Sequence, residues 1–113
     1  MVKVIVLLPR KAGMSPEAFR GHLEERHRPL VQQLPGLRRL VINYVQADPA
    51  GPPPPYDAIA EDWFDSLQAM QAAFASPQGQ AVQQDGPNYL DLDRFQLLVV
   101  DEVEVPMAAS TRM

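Results

Sequence analysis

The sequence predicts an α+β fold in which four strands and two main helices follow one another as β-α-β-β-α-β. Three observations lead there. Four short segments, residues 2–8, 37–46, 56–64 and 94–105, alternate their side chains as strands do or run almost wholly apolar. Two segments, residues 15–36 and 65–76, repeat apolar residues at the spacing of one helix face. Proline and glycine clusters separate most of these segments.

The first strand, Val2 to Leu8, is interrupted only by Lys3, so both of its faces are expected to be covered. Residues 9–13 end it and turn the chain into the long helix. Ser15 is placed there to accept backbone N–H groups as the N-cap. Pro16 falls at N1, where its missing N–H costs nothing, and Glu17 sits at the positive helix end. Pro35 and Gly36 close the helix. At about 100° per residue, Phe19, Leu23, Leu30 and Leu34 share one apolar arc, with His27 at its edge. Pro29 lies well inside the helix and predicts a kink, because it cannot bond the Glu25 carbonyl.

In the second strand Leu40, Ile42 and Tyr44 point one way and Val41, Asn43 and Val45 the other. Residues 48–55, DPAGPPPP, read as an exposed connector with polyproline II geometry. The third strand places Ile59 and Trp63 on one face, and Ala58, Ala60 and Phe64 on the other. Asp65 or Ser66 caps the second helix, whose core stripe is Leu67, Met70 and Phe74. Pro77 opens a further short helix to residue 84. In the last strand Phe95, Leu97 and Val99 alternate with Gln96, Leu98 and Val100. The domain is expected to span residues 1–105, with 106–113 a frayed tail.

The order is that of a ferredoxin-like fold, with both helices on one face of a four-stranded antiparallel sheet. Strands one, two and four are apolar on both faces, yet helices cover only one. A monomer would leave a large Val, Ile and Leu patch in water, so a homodimer with sheets packed face to face is expected.

The 113 residues suit a single core. A net charge of -4, with no Lys or Arg run longer than two, argues against a nucleic-acid partner. Without cysteine there is no disulfide framework, thiolate nucleophile or Cys-based metal site. The longest apolar run, Val4 to Leu8, is too short for a bilayer, and no signal-peptide pattern precedes it. A cytoplasmic protein with no membrane partner is the expectation.

Several motifs together resemble the EthD-like family of the dimeric α+β barrel superfamily. They are Ser15-Pro16-Glu17 with Phe19, His27-Arg28-Pro29-Leu30, and Leu34-Pro35-Gly36-Leu37. Further on come Asp57-Ala58-Ile59-Ala60-Glu61, Trp63-Phe64-Asp65-Ser66-Leu67, and Asp85 ahead of Asp91 and Phe95. The resemblance covers about residues 3–104. Two positions depart from the family pattern: Leu40, where relatives often carry an aromatic residue, and Tyr44, where they often carry a histidine. The resemblance implies a ferredoxin-like dimer with a pocket in each subunit between helices and sheet. It implies small-molecule chemistry: lactone isomerisation, decarboxylation or dehydration of aromatic polyketides, or an accessory role beside ether-degrading oxygenases.

The residues themselves narrow the chemistry. His27 faces the sheet by helical spacing, and an imidazole there can take or give a proton; the alternative is a buried histidine bonded to backbone. Tyr44 and Trp63 are candidate substrate-binding residues, or plain core aromatics. Arg10, after the first strand, is placed to receive a carboxylate or phenolate, or is a solvated arginine. His22 reads as a solvated neighbour, and Asp85 and Asp91 as turn and cap residues. The two histidines stand five apart, not the four that pairs ligands on a helix face, so a metal site is not expected, and the expected chemistry uses no cofactor. The expected function is a metal-free isomerase, decarboxylase or dehydratase acting on a small apolar, cyclic or aromatic carbonyl compound, with His27 as general acid/base. Its alternatives are a non-catalytic binding or accessory protein, and an oxidoreductase of the same fold. A haem-binding oxygenase, with His27 or His22 as axial ligand, would declare itself by a Soret band.

Overall fold

The computed structural model describes residues 1–108. Four strands, β1 (Val2–Leu8), β2 (Arg39–Tyr44), β3 (Ala58–Phe64) and β4 (Gln96–Val100), form one antiparallel sheet in the order β2-β3-β1-β4. This is the ferredoxin-like α+β arrangement. β1 and β3 pair centrally, from Val2 opposite Phe64 to Leu8 opposite Ala58. The expected tail lies partly outside the described residues; positions 101–108 carry no helix or strand.

The register sorts the side chains into two faces. One carries Val4, Val6 and Leu8 beside Asp62, Ala60 and Ala58, then Leu40, Ile42 and Tyr44. All the helices cover this face. The opposite face carries Lys3, Ile5 and Leu7 beside Trp63, Glu61 and Ile59, with Leu98 and Val100 on β4. No element covers it among the described residues, and Leu98 remains 48% exposed.

The long helix is not regular. It runs as α1 (Pro16–His22), a π-helical turn (Leu23–His27) and α2 (Arg28–Val31). Ser15 caps it, its side chain accepting from the Ala18 N–H at 3.0 Å. The Arg28 N–H reaches back to the Leu23 carbonyl, the wider bond pattern of a π turn. The kink expected at Pro29 takes this form, since the ring has no N–H for Glu25 and crowds that carbonyl. The extra residue turns everything beyond it by about 100° relative to a straight α-helix. Val31 is therefore buried where regular spacing placed Leu30, and His27 moves from the edge of the arc into the row of Phe19 and Leu23.

The second half adds α3 (Leu67–Ala75), α4 (Pro77–Asp85) and a 3₁₀ turn (Gly86–Asn88). Of the two cap candidates, Ser66 accepts from the Ala69 N–H, while Asp65 pairs with Arg38 at the surface. Ala73 is fully buried in α3, and Leu67, expected in the core stripe, is exposed in its first turn. Gly79 is required for the α3–α4 corner: a Cβ there would lie 2.4 Å from the Ala73 and Phe74 carbonyl oxygens. The helices close two apolar clusters, one around Leu8, Phe19, Leu23 and Tyr89, the other around Val4, Val31, Leu34 and Phe64. Between helices and sheet they leave a cavity of about 490 Å³.

Candidate functional site

The cavity is predominantly apolar, bounded by Val6, Leu40, Ile42 and Ala60 on the sheet and Leu23 and Val31 on the helix. Three polar side chains reach it on a buried base: His27 from the π turn, Asp62 from β3, and Tyr89 after the 3₁₀ turn. Arg28 borders it too, but its guanidinium is paired with Glu24 at 3.0 Å.

His27 is held from behind. Its Nδ1 lies 2.8 Å from Asp85 Oδ2, and Asp85 also receives His22 Nε2 at 2.9 Å and the Asn88 amide at 2.9 Å. Burial works to raise the Asp85 carboxyl, but the bonds from Asn88, His22 and His27 outweigh it and hold it below the usual carboxylate range. Asp85 is thus an anion that accepts a hydrogen bond from the Nδ1–H of His27, leaving the lone pair on Nε2. Desolvation lowers the His27 pKa below 6.5, and Asp85 partly offsets it. The imidazole is neutral near pH 7 and has a counter-ion ready when it gains a proton. The Tyr89 ring braces both histidines, its centroid 4.9 Å from each, and is stacked nearly parallel on His22.

Two readings from the sequence change here. His22 is not a solvated neighbour: it bonds Asp85 and stacks on Tyr89. Asp85 is more than a turn residue, since it anchors both histidines, whereas Asp91 does serve a local turn through Asp93 and Arg94. His22 and His27 can share Asp85 despite their five-residue spacing because the π turn lengthens the repeat between them. Among the described residues no cluster of three or more His, Cys, Asp or Glu is arranged to hold a metal ion.

Of the four residues singled out in the sequence, the structure brings only His27 to the cavity. Trp63 stands on the opposite face of the sheet, between Lys3 and Arg39, with its indole N–H donating to Glu102 at 3.0 Å. Strand alternation makes this unavoidable, because Asp62 and Trp63 are neighbours. Tyr44 is on the helix-facing side, but its hydroxyl donates to Glu24 and Arg20 lies over its ring. Burial and the bond to Glu24 push its pKa up to about 12. Arg10 is tied to Asp57 at 3.0 Å and to the Met14 carbonyl. Sequence reasoning passed over Asp62 and Tyr89. An acidic residue on the core-facing side of β3, in step with Ala58, Ala60 and Phe64, was the signal available for Asp62.

The chain belongs to the EthD family: residues 11–93 match the EthD domain. An uncharacterized 11.0 kDa protein from the thcB-thcC intergenic region of Rhodococcus erythropolis is 34% identical over 91 residues, 80% of this chain and 87% of that protein. A crystal structure of an ethyl tert-butyl ether D family protein from Bacillus halodurans superposes with TM-score 0.78 at 25% identity, covering 91% of this chain and 99% of that one. The same fold, at 12% identity and TM-score 0.64, is found in SnoaB, a cofactor-independent oxygenase from Streptomyces nogalater, over 92% of this chain and 94% of that one. No helix among the described residues is long and apolar enough to cross a membrane.

Proposed function

We propose that this EthD-family chain acts on a small cyclic or aromatic carbonyl compound by metal-free acid/base chemistry, as an isomerase, decarboxylase or dehydratase. One observation carries the reading. His27 is buried at the cavity wall with Nδ1 bonded to an anionic Asp85, which makes Nε2 the ring nitrogen available for chemistry. A neutral imidazole so oriented removes a proton alpha to a carbonyl and returns it elsewhere on the same molecule. Asp85 keeps the ring in the required tautomer and stabilises the imidazolium formed between the two transfers. The apolar walls suit a ring system and exclude water from the transfer.

The experiment is proton exchange in D₂O with 2-tetralone and a butenolide as probes, followed by NMR. The wild-type protein should speed exchange at the alpha carbon, and a folded His27→Gln variant should lose about 10²-fold or more of that rate. Retained exchange in the variant would remove His27 from the role. Binding of both probes without exchange would make the protein a non-catalytic binding or accessory protein that uses the same cavity.

The uncovered sheet face, with Ile5, Leu7, Ile59 and Leu98 side by side, supports a homodimer built by packing this face on its copy. Light scattering at micromolar concentration should give twice the chain mass; a folded monomer would end this part of the proposal.

A further inference from the structure

Two side-chain polar atoms are fully buried without a hydrogen-bond partner among the described residues, and both belong to residues of the one cavity: Asp62 Oδ1 and the Tyr89 hydroxyl. Leaving such groups unpaired costs on the order of 1–3 kcal/mol each in a folded protein. Their coincidence beside an apolar space points to a ligand that satisfies them. We infer that Asp62 and Tyr89 together seat one oxygen of the ligand, the carbonyl oxygen of an enolisable small molecule, and that both side chains donate hydrogen bonds to it.

The surroundings of Asp62 decide its role as donor. Its strand neighbours are Val4 on β1 and Leu40 on β2, neither able to bond or neutralise a carboxylate. From the helical layer the cavity presents His27, Arg28, Gln83 and Tyr89; Arg28 is engaged by Glu24, the Gln83 amide donates to the Phe74 carbonyl, and His27 is neutral with its Nδ1 on Asp85. Burial alone pushes the Asp62 carboxyl up to about 7, so it is substantially protonated at neutral pH. Tyr89 is driven upward by burial and by the nearby Asp85 charge, and keeps its proton. Both therefore offer an O–H where an anionic site would offer only lone pairs.

This assignment rests on the reading of His27 as the base and completes its chemistry. His27 Nε2 takes the alpha proton, the C–H electron pair becomes the new carbon–carbon double bond, and the carbonyl π pair moves onto oxygen. The enolate oxygen then receives the hydrogen bonds of Asp62 and Tyr89, which strengthen as its charge develops. Returning the proton from His27 to carbon restores a carbonyl, with no electrons gained or lost. The substrate class narrows to compounds whose enolate oxygen and acidic carbon span the gap from sheet to π turn.

The test uses binding, so it does not depend on turnover. 2-Naphthol mimics an aromatic enol and naphthalene lacks the oxygen; both are followed by fluorescence with the whole chain. Asp62→Leu and Tyr89→Phe should each weaken 2-naphthol about 10-fold or more and leave naphthalene unchanged. For wild type, 2-naphthol affinity should fall as pH rises through about 7, and Asp62→Asn, which keeps a donor that does not titrate, should flatten that dependence. Equal losses for both probes, no loss, or failure of the folded wild type to prefer 2-naphthol over naphthalene would overturn the assignment. If the preference holds while the wild type catalyses no proton exchange, the oxygen seat stands and the enzymatic reading falls.

Discussion

Two buried carboxylates bear on the same cavity, and their environments drive them apart. Asp85 stands behind His27 at the end of α4, with three donors on its oxygens, and is held below the ordinary carboxylate range. Asp62 stands on β3 among apolar neighbours and is pushed up to about 7. Both are buried, 9% and 4% exposed, but Asp62 lies deeper and has only desolvation acting on it. Hydrogen bonds to the charged form act on Asp85 alone and reverse the effect of burial there. One site thereby holds a permanent anion to steady an imidazole and a neutral acid to meet a developing anion, the pairing acid/base chemistry uses at neutral pH.

The comparison sharpens most at Asp62. Its folded pKa lies above the unfolded value of about 3.9, so the native state holds the extra proton and stability falls as pH rises between those values. Asp62→Leu should raise the unfolding free energy by roughly 4 kcal/mol near pH 9 and by less near pH 5. Urea denaturation at the two pH values measures it. A gain independent of pH would mean that Asp62 does not ionise in this window. Greater stability joined to weaker 2-naphthol binding would mark a residue kept for function rather than for the fold.

A smaller effect of opposite sign is expected at Asp85. Its folded pKa lies below the unfolded value, so its contribution is present above about pH 4 and is lost as pH falls through the folded value. Asp85→Asn should cost about 1–3 kcal/mol near pH 7, because the amide cannot accept from all three donors. It should also lower the His27 pKa further, since Asp85 is what offsets desolvation there. NMR titration of the imidazole reports this directly, and an unchanged midpoint would break the link between the two residues.

Much of the fold was legible because it depends on local pattern. β1 spans Val2–Leu8 as the apolar run indicates, Ser15 and Pro16 begin the helix, and Pro77 begins α4. His27 was legible as well, through its place beside the apolar arc. Tyr44 and Arg10 were read as available, but their polar groups are consumed by Glu24 and Asp57. Sequence spacing reveals which face a side chain takes, not which partner already holds it.

The chain by itself determined the order of elements, the EthD family and a histidine facing the sheet, because strand and helix periods and caps act over a few neighbouring residues. Tertiary structure decided the site. Asp85 meets His27 across 58 positions and His22 across 63, and Asp62 is left without a partner because β1 and β2 set Val4 and Leu40 on either side of it. The roles of these carboxylates follow from how many donors surround each one, and that number exists only once the chain has folded.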